Sequence, residues 1–333
     1  MNTPGQQALW QALFPDKPLP QYAHMSVTVS DSGGKLSKRE RPKTLRAAIK
    51  GLPDADIKTL AQVGGIPSDE VTSFLDGQTT PDMPSIDAMA RYLAVHLPEI
   101  NIVDFFRSGY LPETMVNFLA LLGWNPGDQR EVMTREELIE SFDLSRLTKS
   151  NSLFDRQKLV AFNTEHLRMT PNETVLEHFK AYLAEADSPL QQADDVLLLR
   201  VIELSEGAQT LEHIERKSAF LLIDDEAIEF DAKAVKKVLL KGQALDVLQT
   251  VREKLVAMDA FTEETLETML RGLAEERQVG LGKVAQPLRV ALCGTTVSLP
   301  IFDSVNLLGK ERTLRRIDRT LETFRAAAPE KTE

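Results

Sequence analysis

The chain has 333 residues, of which 42% are hydrophobic and 27% charged, and it carries a net charge of -11. That length and balance exclude a disordered or fibrous chain and allow two or three domains with an ample core, with disorder expected only at Ala327–Glu333 and in the first few residues. The acidic total excludes wholesale coating of nucleic acid but leaves room for a local basic groove, because phosphates are met by clustered cations and not by the average. One cysteine, Cys293, permits no internal disulfide and no cysteine-based zinc site, and reads as a small buried hydrophobe. No stretch reaches the roughly 18 apolar residues of a membrane helix, and the polar start lacks a signal peptide's regions. A cytoplasmic protein is the expectation.

In chain order, Ala8, Leu9, Ala12 and Leu13 fall at helical spacing within Thr3–Leu13, and a proline-broken loop follows from Pro15 to Pro20. Gln21–Val29 reads as a strand that enters the glycine turn Asp31-Ser32-Gly33-Gly34 and then the cationic run Lys35-Leu36-Ser37-Lys38-Arg39. Two glycines let the backbone bend closely around a ligand, and the lysines supply mobile point charges for phosphate oxygens. Taken alone, such a pentapeptide is as well explained by an exposed basic loop.

Next come four helical runs, Thr44–Leu52, Asp56–Val63, Pro67–Leu75 and Pro84–Leu93, separated by Gly64-Gly65 and by Gly77-Gln78-Thr79-Thr80-Pro81. Leu60, Ala61, Ile66, Val71, Phe74, Leu75, Ile86, Met89, Ala90 and Leu93 could close a small core. The order of these landmarks resembles the helix-turn-helix of phage-repressor-like domains. Its recognition helix would carry Ser68, Asp69, Glu70, Thr72 and Asp76, and three carboxylates there oppose DNA, so a structural or docking insert is expected.

Asn101–Gly109 is apolar enough to pack back on the region before the insert, a helix is expected over Pro112–Leu122, and Trp124-Asn125-Pro126-Gly127 reads as a turn. Thr134 with Glu137 forms one capping box, and Thr170-Pro171-Asn172-Glu173 reads as a second with proline at N1. From there the pattern is helix after helix. Leu245, Leu248, Val251 and Leu255 make one apolar face, Leu266, Met269, Leu270 and Leu273 another, and Leu314, Ile317, Leu321 and Phe324 a third. The last helix is expected to turn Arg312, Arg315, Arg316, Arg319 and Arg325 outward.

The pentapeptide Lys35–Arg39 resembles the KMSKS-type signature of class I aminoacyl-tRNA synthetases, and the wider set of landmarks resembles the bacterial-type glutamyl-tRNA synthetases. That set includes Gly109-Tyr110-Leu111-Pro112-Glu113, Leu121-Leu122-Gly123-Trp124-Asn125-Pro126, Ser152-Leu153-Phe154-Asp155 with Lys158-Leu159 and Asn163, Gln286-Pro287-Leu288-Arg289-Val290-Ala291-Leu292, and Gly309-Lys310-Glu311-Arg312-Thr313-Leu314. The landmarks keep the family's order over residues 3–39 and 101–325, and about sixty extra residues interrupt them after Arg39.

The resemblance implies a mainly α fold. It places the end of a class I Rossmann-type catalytic domain at 1–40, a helix-turn-helix-like insert at 41–100, a stem-contact region at 101–185 and an all-α anticodon-binding domain at 186–333. The half with the HIGH signature and the amino-acid pocket is missing from the pattern, which implies a fragment, a misplaced start or a split enzyme with a separate HIGH-containing polypeptide.

The implied activity is a glutamate–tRNA ligase acting through glutamyl-adenylate, with L-glutamate, ATP (accompanied by Mg2+) and tRNA as substrates; the alternative is a non-catalytic tRNA-binding protein of the same descent. This chain alone is expected to be inactive. The catalytic role falls to Lys38, assisted by Lys35, because cations that tighten on the departing pyrophosphate lower the barrier. Ser37 and Gly34 complete the implied ATP-binding loop, and His24 on the entering strand is a further position near it.

Arg289, Arg312, Arg315, Arg316 and Arg319 are the implied tRNA contacts, set against a solvated face for the last helix and an ion-pair partner for Arg289. Trp124, Phe154 and Asp155 match stem-region positions and read as structural. The five histidines show no ligand spacing, so no protein-bound metal is expected, and no nucleophile motif is found.

Overall fold

The computed structural model describes residues 2–29, 39–52 and 56–325. The signature loop with Gly34, Lys35, Ser37 and Lys38 lies outside the described residues. The fold is mainly α, and the chain divides into two compact units, Met1–Phe105 with Pro112–Phe162 and Phe106–Leu111 with Asn163–Glu333.

The first unit opens with α1 (Thr3–Leu13), which has no buried residue, and β1 (Thr28–Val29). The strand expected over Gln21–Val29 is thus only two residues long, because just one other stretch offers it a ladder. That stretch is β2 (Ser152–Leu153), parallel to β1 with Thr28 opposite Ser152 and Val29 opposite Leu153. The backbone N–H of Phe154 donates to the Val29 carbonyl at 2.8 Å and closes the pair.

Between the strands lie α2 (Glu40–Lys50), α3 (Ile57–Gly64), α4 (Ser68–Leu75) and α5 (Met83–Tyr92). Leu45, Ile49, Leu60, Ala61, Val71, Phe74, Ile86, Met89 and Ala90 form a core of their own there. Asp56 caps α3 by accepting the N–H of Lys58, and Gly65 ends it at φ 64°, a left-handed value that favours glycine. Arg41 in the first turn of α2 donates to Asp87 of α5 at 2.8 Å and to Asp104 at 2.9 Å, which ties these helices to α6 (Ile102–Arg107).

In α7 (Pro112–Leu121) and α8 (Arg135–Ser141) the family landmarks prove to be packing residues. Trp124 is 2% exposed, shares a cluster with Met133 and Leu138, and donates its indole N–H to the Asp143 carbonyl. Phe154 packs its ring on Phe105 and edge-on against Phe118. Asp155 accepts the N–H of Lys158 and opens α9 (Arg156–Met169). Of the apolar residues at the start of α6, Phe105 is buried while Ile102 is 84% exposed, so that segment packs through one side only. The capping box at Thr134 forms with both of its hydrogen bonds.

The second unit is helical throughout among its described residues: α10 (Asn172–Glu185), α11 (Asp195–Glu203), α12 (Leu211–Ser218), α13 (Ala232–Ala234), α14 (Ala244–Val256), α15 (Glu263–Glu276), α16 (Gly282–Cys293), α17 (Ile301–Leu308) and α18 (Lys310–Arg325). The second capping box does not form. Pro171 itself is the cap residue of α10, and the Thr170 hydroxyl turns back to the His166 carbonyl, so the α9 terminus outcompetes the α10 start for it.

Gly109 has φ 77°, and a side chain there would collide with the backbone of Leu211 and Glu212 at the start of α12. Asn163 holds the same corner by accepting the N–H of Leu111 and donating to the Gln209 carbonyl. Apolar residues of α10 to α12 and α14 to α18, among them Phe179, Leu248, Val251, Leu270, Leu288, Val305 and Ile317, form one continuous core, while Ala234, Val235 and Leu239 pack with Val290 in a smaller cluster.

Candidate nucleic-acid interface

The second unit contains a pocket of about 920 Å³ bordered by four cations, Lys237, Lys241, Arg277 and Lys283, with no carboxylate among its lining residues. Three features of the chain build it. After α13 the backbone widens into a π-helical turn over Val235–Leu239, closed by the Leu240 N–H to the Val235 carbonyl, and this turn presents Lys237 and Val238. Gly242, at φ 63°, carries the chain from Lys241 into α14. On the opposite wall Pro287 lies inside α16, where it has no N–H to offer the carbonyl one turn back.

Val238, Val247, Val279 and Pro287 give the pocket an apolar lining between its cations. Arg277 donates to the Thr250 hydroxyl at 2.7 Å, while among the described residues Lys237, Lys241 and Lys283 have no carboxylate partner. Four cations with no counter-charge leave a positive potential that a polyanion would satisfy, and flat apolar walls suit an aromatic base. Gln286, also in the lining, keeps its Oε1 buried without a hydrogen-bond partner. One turn further along α16 is Arg289, whose Nε is likewise buried and unpartnered, and whose pKa is pulled down by burial.

Of the five arginines marked from the sequence, only Arg289 lies on a wall helix of this pocket. The outward orientation expected for the α18 arginines does not hold for Arg316, which is 1% exposed. The buried arc of α18 is Thr313, Arg316, Ile317, Thr320 and Leu321, rotated from the purely apolar face toward Arg316. Arg316 donates to the Asp225 carboxylate at 2.7 Å and to the Ile223 carbonyl at 2.6 Å, and also reaches the Leu292 carbonyl. Arg312 and Arg315 meet the same carboxylate at 3.1 and 2.8 Å, and Arg319 donates to the carbonyls of Asp225 and Ile228.

His24 is exposed, 3.5 Å from the Thr3 hydroxyl, and borders a small recess with Asn2, Gln6 and Tyr22. Lys237, Lys241, Arg277 and Lys283 were not singled out from sequence, and Gln286 was marked only as part of a family landmark, since the fold alone brings these segments together. The signals that could have found them are the lysine-rich stretch Lys236–Gly242 and a proline in mid-helix at Pro287.

The pocket falls within residues 174–321, which match a family model described as an anticodon binding domain. Residues 98–161 match the model of the class I tRNA synthetase (E and Q) catalytic domain. The chain is 35% identical over 226 residues to a glutamate–tRNA ligase of Thermodesulfovibrio yellowstonii and 36% identical over 224 residues to one of Myxococcus xanthus. Over two thirds of its length the chain is homologous to glutamate–tRNA ligases.

Each of those alignments takes in 67% of this chain but only 48% and 46% of the relative, so the chain spans about half the length of the ligases it matches. In three dimensions it is similar to a glutamate tRNA ligase from Elizabethkingia meningosepticum, crystallised in complex with its amino acid. The TM-score is 0.64 at 28% identity, with 97% of this chain and 55% of that one aligned. A second neighbour, the glutamate–tRNA synthetase of Elizabethkingia anophelis, gives a TM-score of 0.59.

Proposed function

We propose that this chain is the tRNA-reading portion of a glutamate–tRNA ligase, and that the cationic pocket between the π-turn and α16 takes part of the tRNA anticodon loop. The observation that carries this reading is four cations without a carboxylate around an apolar floor, inside the segment that matches an anticodon binding domain. Lys237, Lys241 and Lys283 serve phosphates, the valines and Pro287 give a base its stacking surface, and Gln286 with Arg289 supplies hydrogen bonds. In this reading residues 1–40 end the catalytic domain, 41–100 are a structural or docking insert, 101–185 contact the tRNA stem and 186–333 read the anticodon.

In the complete ligase, the glutamate carboxylate attacks the α-phosphorus of ATP and expels pyrophosphate, after which the 3′-terminal ribose hydroxyl of the tRNA takes the glutamyl group and releases AMP. Lys38 and Lys35 stabilise the departing pyrophosphate, with Ser37 and Gly34 shaping their loop. Mg2+ enters with ATP; among the described residues no group of three His, Cys, Asp or Glu side chains gathers as a metal site.

A second reading is a non-catalytic tRNA-binding protein of the same descent. Two measurements on residues 1–333 decide the matter. Selective binding of glutamate tRNA over an unrelated tRNA, weakening steeply with salt, is the expected result, and equal weak binding to both would overturn the tRNA-reading role. Pyrophosphate exchange into ATP with glutamate should be absent for the chain alone and appear when a HIGH-containing half is added; exchange by the chain alone would refute the need for that half.

A further inference from the structure

We infer that Asp225 and Arg316 are positioning residues for RNA reading: they staple together the roots of the two walls of the cationic pocket and do not touch the RNA themselves. This rests on the proposed anticodon role of that pocket.

The geometry follows from where each bond ends. On one side Arg316 grips the loop that precedes α13, through the Asp225 carboxylate and the Ile223 carbonyl. That loop runs to Asp231, whose side chain caps α13 by accepting the Ala234 N–H at 2.6 Å, and α13 continues directly into the π-turn that presents Lys237. On the other side Arg316 takes the Leu292 carbonyl, in the last turn of the helix that carries Lys283, Gln286 and Arg289.

A second staple lies beside the first: the Asp231 N–H donates to the Gly294 carbonyl at 2.9 Å, and Thr296, which lines the pocket, follows two residues later. At Gly294, with φ 74°, a Cβ would overlap the Glu229 carbonyl oxygen, so the two backbones meet with no room for a side chain. Arg319 stiffens the same loop through the Asp225 and Ile228 carbonyls and lies 5.3 Å over the Phe230 ring. Arg316 therefore spends its donors on two segments that are distant in sequence and that each lead into a pocket wall.

A cation committed in this way differs measurably from one that contacts phosphate. A contact residue contributes about 0.7 to the slope of log affinity against log salt for single strands, and its loss weakens all RNAs alike. A positioning residue leaves the slope alone and blurs the choice between bases. The test compares wild type, Arg316→Lys and Asp225→Asn, each checked for its fold by circular dichroism. Binding is measured to glutamate tRNA and to the same tRNA with its anticodon bases replaced, over a salt series.

The expected result is a loss of discrimination of roughly fivefold or more in both variants with an unchanged slope. Asp225→Asn is the sharper arm, since it removes no cation and frees Arg312, Arg315 and Arg316. If those arginines were contact residues it would bind RNA as well or better, with its selectivity intact. That outcome would overturn the inference.

Hydrogen exchange on the free protein gives the second readout. Asp225→Asn should speed exchange at residues 232–241 and 294–296 while leaving α10 to α12 unchanged. If wild type proves unselective, the proposed function fails and this arm still decides the stapling: unaltered exchange at those residues would refute it.

Discussion

Two groups of four cations in the second unit have been put to opposite use. Arg312, Arg315, Arg316 and Arg319 of α18 converge on Asp225 and on the carbonyls of Leu221, Ile223, Asp225, Ile228 and Leu292. Among the described residues, the side chains of the pocket cations have the Thr250 hydroxyl as their one hydrogen-bond partner, and that serves Arg277 alone. A cation whose donors are already filled by oriented acceptors has little to gain from a phosphate, because it would have to break those bonds first. A cation without counter-charge gains the whole interaction. The number of basic residues on a helix thus says less about nucleic-acid binding than the number of acceptors facing them.

The largest effect expected from this contrast is on stability. Replacing Arg316 with alanine removes the fully buried centre of the α18 network, takes one of three arginines from the Asp225 carboxylate and takes the guanidinium donor from the Leu292 carbonyl. Breaking a buried pair from one side typically costs about 3–5 kcal/mol, a large share of a domain's stability. Urea denaturation of the Arg316→Ala chain should show a loss in that range at pH 7. A change under about 0.5 kcal/mol, the scale of ordinary surface substitutions, would mean that the network is dispensable and would erase the contrast between the two regions.

A smaller effect is expected in acid. Burial by itself would raise the Asp225 carboxyl, but the hydrogen bonds from Arg316 and Arg315 and the charges of Arg316 and Arg312 outweigh it and hold the group below the usual carboxylate range. Its folded pKa is therefore depressed relative to the unfolded chain. The corresponding stabilisation is complete above the unfolded value of about 3.9 and is lost as pH falls through the lower folded value. Wild type should lose stability more steeply below about pH 4 than Asp225→Asn does, and parallel acid limbs would remove Asp225 from the account.

How much of this could be read from the sequence depends on which residues act locally. Helix periodicity, the Thr134 capping box and the small core of the insert are short-range features, and they form as their spacing indicates. The landmarks Gly109, Trp124 and Asn163 were legible as a family pattern, while their physical roles, a close backbone approach, an indole hydrogen bond and a bridged corner, needed the fold. Arg316 misled because it lies one turn from Thr313 and Thr320, two polar residues that the structure buries and that hydrophobic patterning assigns to solvent. The pocket as a whole was not legible because the stretch with Lys237 and Lys241 lies up to 46 residues from Arg277 and Lys283, and only the fold joins the two walls.

The smallest expected change in stability belongs to the pocket, and it is the most diagnostic. Lys241 and Lys283 are exposed and have no carboxylate partner among the described residues, so truncating either to alanine removes no native bond and should move stability by no more than about 0.5 kcal/mol. If these lysines hold phosphates, each truncation should lower the salt slope of tRNA binding by about 0.7 and weaken cognate and altered tRNAs by the same factor. The combination of an untouched fold, a shallower slope and retained selectivity is the reverse of what Asp225→Asn is expected to give. Should both kinds of variant behave alike, the division of the basic residues into a scaffold on α18 and a binding surface in the pocket would be wrong.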